Sequence, residues 1–418
     1  MYDDEVPGEP RAWLTAEEAI ARLGVKPQTL YAYVSRGLVE REPEPGTRRS
    51  RYRRIDIERL ASGSRPVSRA GRLDVVVDTS LTALEPNGTL TYRGWSVVDA
   101  ARSASFETVA EWLWLGERHH DLTWTAPPDA LAAARAVQEA LPSGTRVVER
   151  VRITIETAAT VDALRYDRRP VAVAERGRRM IATAVDALPL LGPEGSGGGT
   201  TIAARAWPRL TSLPATPSRV RALDVALVLL ADHELAASAF ATRVAASTWA
   251  DTYAAVSAGL AALSGPLHGG ASDAVRDVLR RLGSVEAPEV VVGEQLRGDG
   301  AFPGFGHRVY EVDDPRVAPL LDSVREAGAP RELLDAADSL CTVARSAGAP
   351  PVNVDFALGV FVEAFDIEAG GDAVFALARC AGLVGQAMEE YPHRLRYRPR
   401  AAYVGPLPGR PPSVTDAT

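Results

Sequence analysis

The sequence predicts a mainly α-helical body preceded by a small helix–turn–helix module. Two observations carry this. From Ala104 onward, long Ala/Leu/Val segments recur at the helical period, broken by Pro/Gly punctuation at 187–200, 264–270, 303–306 and 348–351. Residues 12 to about 60 have a different grammar, with two short helical patterns and then an Arg-rich run.

In that first stretch, Thr15-Ala-Glu-Glu18 is a capping box, with threonine capping the helix and Glu18 returning the bond. Gly24 suits a left-handed helix end, Pro27 a first helical turn, and Leu30, Tyr31 and Val34 recur at helical spacing up to Gly37. Pro43 to Gly46 form a turn. Arg48-Arg49-Ser50-Arg51-Tyr52-Arg53-Arg54 then fits a small β-wing before a helix from Asp56. Ser62 to Arg69 is composed like a linker. Beyond it, Leu73 to Ser80 and Gly88 to Gly94 fit two short strands and a turn.

Length and composition frame what the chain is able to do. At 418 residues, 46% apolar and 24% charged, it has room for two or three domains and a large core. The net charge of −7 argues against a whole-protein nucleic-acid binder, so any DNA contact must be local. Cys341 and Cys380 lie in helical text without metal-ligand spacing and read as core thiols. The N-terminus has no basic segment followed by an apolar one, and no long apolar window occurs, which predicts a cytoplasmic protein.

Chemistry concentrates in four short fragments. Three of the six histidines stand in Ala-Asp-His233-Glu, Gly-Pro-Leu-His268-Gly-Gly-Ala and Phe-Pro-Gly-Phe-Gly-His307-Arg-Val-Tyr, and the fourth fragment is Val-Asn-Val-Asp355-Phe. Imidazoles titrate near neutrality and a carboxylate can act as a base, so these form an acid/base kit. His268 lies between a helix stop and a new helix that Ser272 would cap, where positive potential keeps an imidazole neutral and donating. Asp314-Pro315-Arg316 is a rigid turn whose guanidinium would bind a carboxylate bidentately. Asp355 follows Pro350-Pro351 and opens an apolar helix from Phe356 to Phe365, where burial would raise its pKa toward that of a useful base. His119, His120 and His393 have no motif around them. A metal hydrolase would want a close histidine pair such as His-x-x-x-His, and a serine hydrolase a G-x-S-x-G elbow; neither occurs.

In this order and at these separations, the four fragments resemble the citrate synthase family. The likeness runs from about Asp74 to Pro406, through Asp78-Thr, Tyr92-Arg93-Gly94 and the closing Arg398-Pro-Arg-Ala-Ala-Tyr-Val-Gly-Pro406. It implies an all-α two-domain body: residues 69–271 and 371–418 form a large domain, 272–370 a small one, and the chain pairs as an obligate homodimer or larger. It also implies an acyltransferase that joins oxaloacetate to acetyl-CoA without metal or other cofactor, acetyl-CoA being a co-substrate, and hydrolyses the resulting thioester. Carried onto this chain, Asp355 abstracts the methyl proton, His268 holds the thioester oxygen and His307 protonates the oxaloacetate carbonyl. His233, Arg316 and Arg379 hold oxaloacetate, Arg398 reaches in from the partner subunit, and Pro303, Gly304, Phe305 and Gly306 contact CoA.

Departures from the family pattern leave the substrate open. After His233-Glu234 the family usually carries Leu-Asn-Ala-Ser-Thr, whereas this chain has Leu235-Ala236-Ala237-Ser238-Ala239, losing an amide and a hydroxyl. Propionyl-CoA giving 2-methylcitrate, or another oxo acid, remains an alternative. Residues 1–68 resemble a MerR-type or excisionase-like winged helix–turn–helix with its linker. That likeness places Gln28, Thr29, Tyr31 and Tyr33 near DNA bases and Arg48, Arg49 and Arg51 near phosphates. A metabolite-sensing DNA-binding regulator is therefore the non-enzymatic alternative.

Overall fold

The computed structural model describes residues 13–44, 47, 49–61, 77–84, 88–120, 122–193, 198–265, 271–283, 287–297, 302–307, 310, 314–393 and 396–398. The chain divides into two compact units, residues 1–78 and 79–418.

In the first unit, the capping box forms as expected: the Glu18 N–H donates to Thr15 Oγ1 (3.2 Å) and the Thr15 N–H to Glu18 Oε2 (2.8 Å). Helix Ala16–Leu23 ends at Gly24 with φ of 63°, and Pro27 opens helix Pro27–Ser35. The wing pairs Arg41–Pro43 with Ser50–Arg53 in antiparallel register. Ser50–Arg53 also pairs with Trp13–Thr15, a three-residue strand too short to show an alternating pattern in sequence. The last helix is Arg54–Ala61, starting two residues before the expected Asp56. Asp56 instead sits in its first turn and accepts the Glu40 N–H at 3.0 Å, fastening the wing to the helix. Ala19, Leu30, Val39, Tyr52 and Ile57 form the unit's own core.

The second unit opens with a small antiparallel sheet of Thr82–Leu84, Leu90–Tyr92 and Trp95–Ser96 and is otherwise helical. Its axis is helix Gly371–Glu390, whose residues are buried nearly throughout because most of them are apolar or small, its buried Arg379, Gln386 and Glu390 being held by internal hydrogen bonds. Helices Phe106–Leu115, Pro170–Asp186, Pro217–Leu230, Ala237–Ser247 and Thr252–Leu263 pack around it. Trp114 on the first of these donates its Nε1–H to the Ala381 carbonyl at 2.8 Å. Helix Ala271–Gly283 packs against Pro288–Arg297, Arg331–Ser346 and Val354–Ala364, and Val317–Glu326 joins them through Val354–Ala364. Ser272 does not cap: it lies within the first turn of Ala271–Gly283, fully buried. Cys380 is buried and Cys341 half-buried. No described helix is long and apolar enough to cross a membrane.

Candidate active site

One face of helix Gly371–Glu390 organises the site. Arg379, Gly382 and Gln386 recur at i, i+3 and i+7, so they share a stripe. Arg379 Nε donates to the Leu230 carbonyl (3.1 Å), the Gly382 N–H to the Ala231 carbonyl (3.1 Å), and Gln386 Nε2 to Asp232 Oδ2 (3.1 Å). A Cβ at position 382 would collide with the Ala231 carbonyl oxygen, so only glycine lets the turn approach this closely. Thr82 Oγ1 donates to Asp232 Oδ2 at 2.5 Å, and the Tyr92 hydroxyl donates to the Asp232 carbonyl at 3.1 Å. Burial raises the Asp232 pKa, with the nearby Arg379 charge opposing it.

This cradle presents His233, which is 8% exposed, with Glu234 beside it at a left-handed φ of 49°. His233 Nε2 lies 3.0 Å from the Tyr310 hydroxyl, and its ring centroid is 5.1 Å from that of His307. The His307 and Tyr310 rings are 4.6 Å apart. Burial, and then the charges of Arg316, Arg379 and His307, hold His233 well below its ordinary pKa, so it is neutral at physiological pH.

The His307 loop is stitched to the start of the Asp355 helix. The Asn353 N–H donates to the Gly304 carbonyl (2.9 Å), Asn353 Nδ2 to the Gly306 carbonyl (2.7 Å), and the Gly306 N–H to the Pro351 carbonyl (2.7 Å). Gly304 has φ of 78°, and a Cβ there would lie 2.7 Å from Val275 Cγ2 and 2.8 Å from Phe356 Cβ. Phe305 stacks edge-on to Phe356 at 5.6 Å. Asn353 also caps the helix, Val354–Ala364, by accepting the Asp355 N–H at 2.9 Å.

Asp355 therefore projects from a helix's first turn. Its Oδ1 is enclosed and has no hydrogen-bond partner among the described residues. Burial pushes its pKa up to about 6, Arg316 and Arg379 offsetting part of the effect and Asp314 adding to it. Arg379 Nη1 is likewise buried and unpartnered among the described residues. A desolvated base and a desolvated cation thus each keep one atom without a partner among the described residues, although Arg379 is bonded through its Nε.

Arg316 differs from expectation. Its Nε and Nη2 donate to Asp314 Oδ1 (2.9 Å) and Oδ2 (2.7 Å), so its bidentate edge is taken by an internal carboxylate. Asp314 Oδ2 also accepts the Val354 N–H at 3.0 Å, which ties Arg316 to the Asp355 helix. Burial alone would raise the Asp314 pKa, but the Arg316 charge and hydrogen bonds hold it below the usual range.

Among the other expected residues, His268 and Arg48 lie outside the described residues, as does the chain beyond Arg398. Arg398 is exposed. His119 pairs with Glu117 at 2.7 Å and His393 with Glu390 at 3.5 Å. In the N-terminal unit Tyr31 is 53% exposed. Arg51, however, is bonded to Glu42 (2.7 Å) and its neighbour Arg53 to Glu40 (2.6 Å), so the wing neutralises part of its own charge. Tyr310, Asp232 and Gln386 were not singled out from sequence; Tyr310, three residues after His307, and Asp232, beside His233, had a local signal, and Gln386 had none.

The chain is similar to known proteins along most of its length. Residues 72–400 match the family described as citrate synthase, C-terminal domain, and residues 14–62 match the MerR HTH family of regulatory proteins. The chain is 32% identical over 368 residues to a citrate synthase of Mycolicibacterium smegmatis, covering 80% of this chain and 94% of that one. It is 31% identical over 368 residues to a 2-methylcitrate synthase of Mycobacterium tuberculosis, covering 82% and 91%. Among solved structures, citrate synthase from Thermotoga maritima is similar with a TM-score of 0.66 and 26% identity, covering 81% and 96%. Citrate synthase from Thermoplasma acidophilum, in ternary complex with carboxymethyl coenzyme A and oxaloacetate, is similar with a TM-score of 0.63 and 27% identity, covering 81% and 96%.

Proposed function

Because this chain belongs to the citrate synthase family, we propose that it condenses oxaloacetate with acetyl-CoA and water to give citrate and CoA. The observation that carries the proposal is Asp355: a carboxylate raised to about 6, with one oxygen enclosed and unpartnered among the described residues, at the start of an apolar helix. At neutral pH such a group is ionised yet poorly solvated, which makes it a stronger base than an exposed aspartate.

In the proposed reaction, Asp355 takes a methyl proton from the acetyl thioester and His268 donates a hydrogen bond to the enol or enolate oxygen. The new carbon–carbon bond forms at the oxaloacetate carbonyl, whose oxygen receives a proton from His307. Water then cleaves the thioester, releasing citrate and the CoA thiol. His233, neutral and hydrogen-bonded to Tyr310, would donate to oxaloacetate while Arg379 Nη1 takes a carboxylate. Arg316, with its bidentate edge on Asp314, would meet a carboxylate end-on. Pro303, Gly304, Phe305 and Gly306 would hold CoA, and their bonds to Asn353 would keep that loop in register with Asp355. The enzyme would work as a cytoplasmic homodimer, each subunit lending Arg398 to the other, with residues 272–370 closing over the reactants.

The similarity to 2-methylcitrate synthase makes propionyl-CoA the second donor to test. Thiol release from acetyl-CoA and propionyl-CoA with oxaloacetate, against an Asp355→Ala control, decides the matter. Asp355-dependent release with either donor supports the condensation and ranks the acyl groups; no release with both refutes it.

A further inference from the structure

We infer that Tyr397, Glu390 and Arg243 form a latch that positions Arg398 for the oxo acid. The inference rests on the reading of Arg398 as a substrate arginine.

Arg243, on helix Ala237–Ser247, is fully buried. Its Nη1 donates to Glu390 Oε2 at 3.3 Å, its Nη2 bonds Glu389, and its Nε donates to Gln386 Oε1 at 2.6 Å. Glu390, 1% exposed, closes the central helix, and its Oε2 also accepts the Tyr397 hydroxyl at 3.0 Å. The Tyr397 ring lies edge-on to Phe240 at 5.4 Å. Burial and the Glu390 carboxylate push the Tyr397 pKa up to about 12, so the hydroxyl stays protonated and donating.

A chain leaving its last helix ordinarily frays unless something ties it down. Here the chain runs through the turn Tyr391–His393 and then returns a phenol to the carboxylate at the helix end. Arg396 and Arg398 on either side are exposed, so Tyr397 is the inward residue of that segment. The next Cα is about 3.8 Å away, so fixing Tyr397 fixes the root of the Arg398 side chain. The latch also reaches the subunit's own site: Arg243 holds the Gln386 oxygen while the Gln386 nitrogen holds Asp232, the residue before His233. Hydrogen bonds thus connect the arm bearing Arg398 to the turn bearing His233.

Tyr397→Phe in the full-length protein keeps the ring against Phe240 and removes only the hydroxyl. The expected result is an oxaloacetate KM raised about tenfold, from loss of a hydrogen bond to a charged group, with kcat within about twofold, the acetyl-CoA KM unchanged and the melting temperature lowered by no more than about 4 °C. Glu390→Gln, which keeps an acceptor, should raise the same KM less. Arg398→Ala is the control: in that background Tyr397→Phe should add nothing. If Arg398→Ala raises the KM and Tyr397→Phe does not, the latch is wrong and the Arg398 reading stands. If Arg398→Ala leaves the KM unchanged, the Arg398 reading fails and takes the latch with it. A Tyr397→Phe protein that loses kcat and melting temperature together would make the contact merely structural and overturn the latch.

Discussion

Asp355→Asn should destroy activity and stabilise the protein, and the stabilisation should depend on pH. The folded-state pKa of about 6 lies above the ordinary aspartate value. Between about pH 4 and 6 the folded protein therefore binds more protons than the unfolded chain, and stability falls as pH rises through that window. A shift of about 2 units corresponds to about 3 kcal/mol, lost in full above pH 6. Asparagine carries no such charge, so relative to wild type the variant should gain about 3 kcal/mol between pH 4 and 7. For the unit of residues 79–418, an unfolding entropy of roughly 0.7 kcal/mol/K converts this to about 4 °C. Thermal unfolding of both proteins from pH 4 to 8, with thiol release on the same samples, makes the measurement. Wild-type kcat/KM should fall below about pH 6 as the base is protonated. A melting-temperature difference that does not change with pH, or an asparagine variant less stable at pH 7.5 than at pH 4 relative to wild type, would refute the reasoning.

Arg316→Ala should cost about 3–5 kcal/mol, because it leaves Asp314 buried without its cation; chemical denaturation measures it, and a loss of activity without loss of stability would contradict the clamp. The N-terminal unit carries ten Arg/Lys against seven Asp/Glu over residues 13–61. With Arg51 held by Glu42, fluorescence anisotropy with duplex DNA at low salt should show binding that Tyr31→Ala weakens more than Arg51→Ala does. The reverse order would show that the wing arginine leaves its internal partner to meet phosphate.

How much of this was legible in the sequence depends on how far apart the partners lie. His307 and Asp355 stood out because they sit beside glycines, prolines or a helix start that give local text its meaning, whereas His233 stood out only through the order and separation of the four fragments. The bidentate edge of Arg316 was also visible, but its occupant was assigned to a ligand when Asp314, two residues away, already fills it. Gln386 left no trace, and the bond that gives Asp232 its role was invisible although Asp232 stands beside His233, since that bond spans 154 positions and exists only when the central helix packs against the His233 turn.

The Ala236 substitution shows why such distances matter. From sequence, Ala236 and Ala239 read as polar groups lost beside the oxo acid. The structure places Ala236 at the N-cap of helix Ala237–Ser247 with no side-chain bond to the first turn, and Ala239 fully buried. What position 236 lacks is thus a helix cap, usually worth about 0.5–2 kcal/mol, immediately after Glu234 in its strained left-handed conformation. The turn is nevertheless fixed from the other side, by Arg379, Gly382 and Gln386 on the central helix and by Thr82 and Tyr92 from the sheet. A missing cap at one end of the turn is offset by five contacts drawn from residues more than 130 positions away. Of the two site atoms that lack a partner among the described residues, Arg379 Nη1 is the cationic donor that suits a carboxylate, and Asp355 Oδ1 is the acceptor that suits a proton.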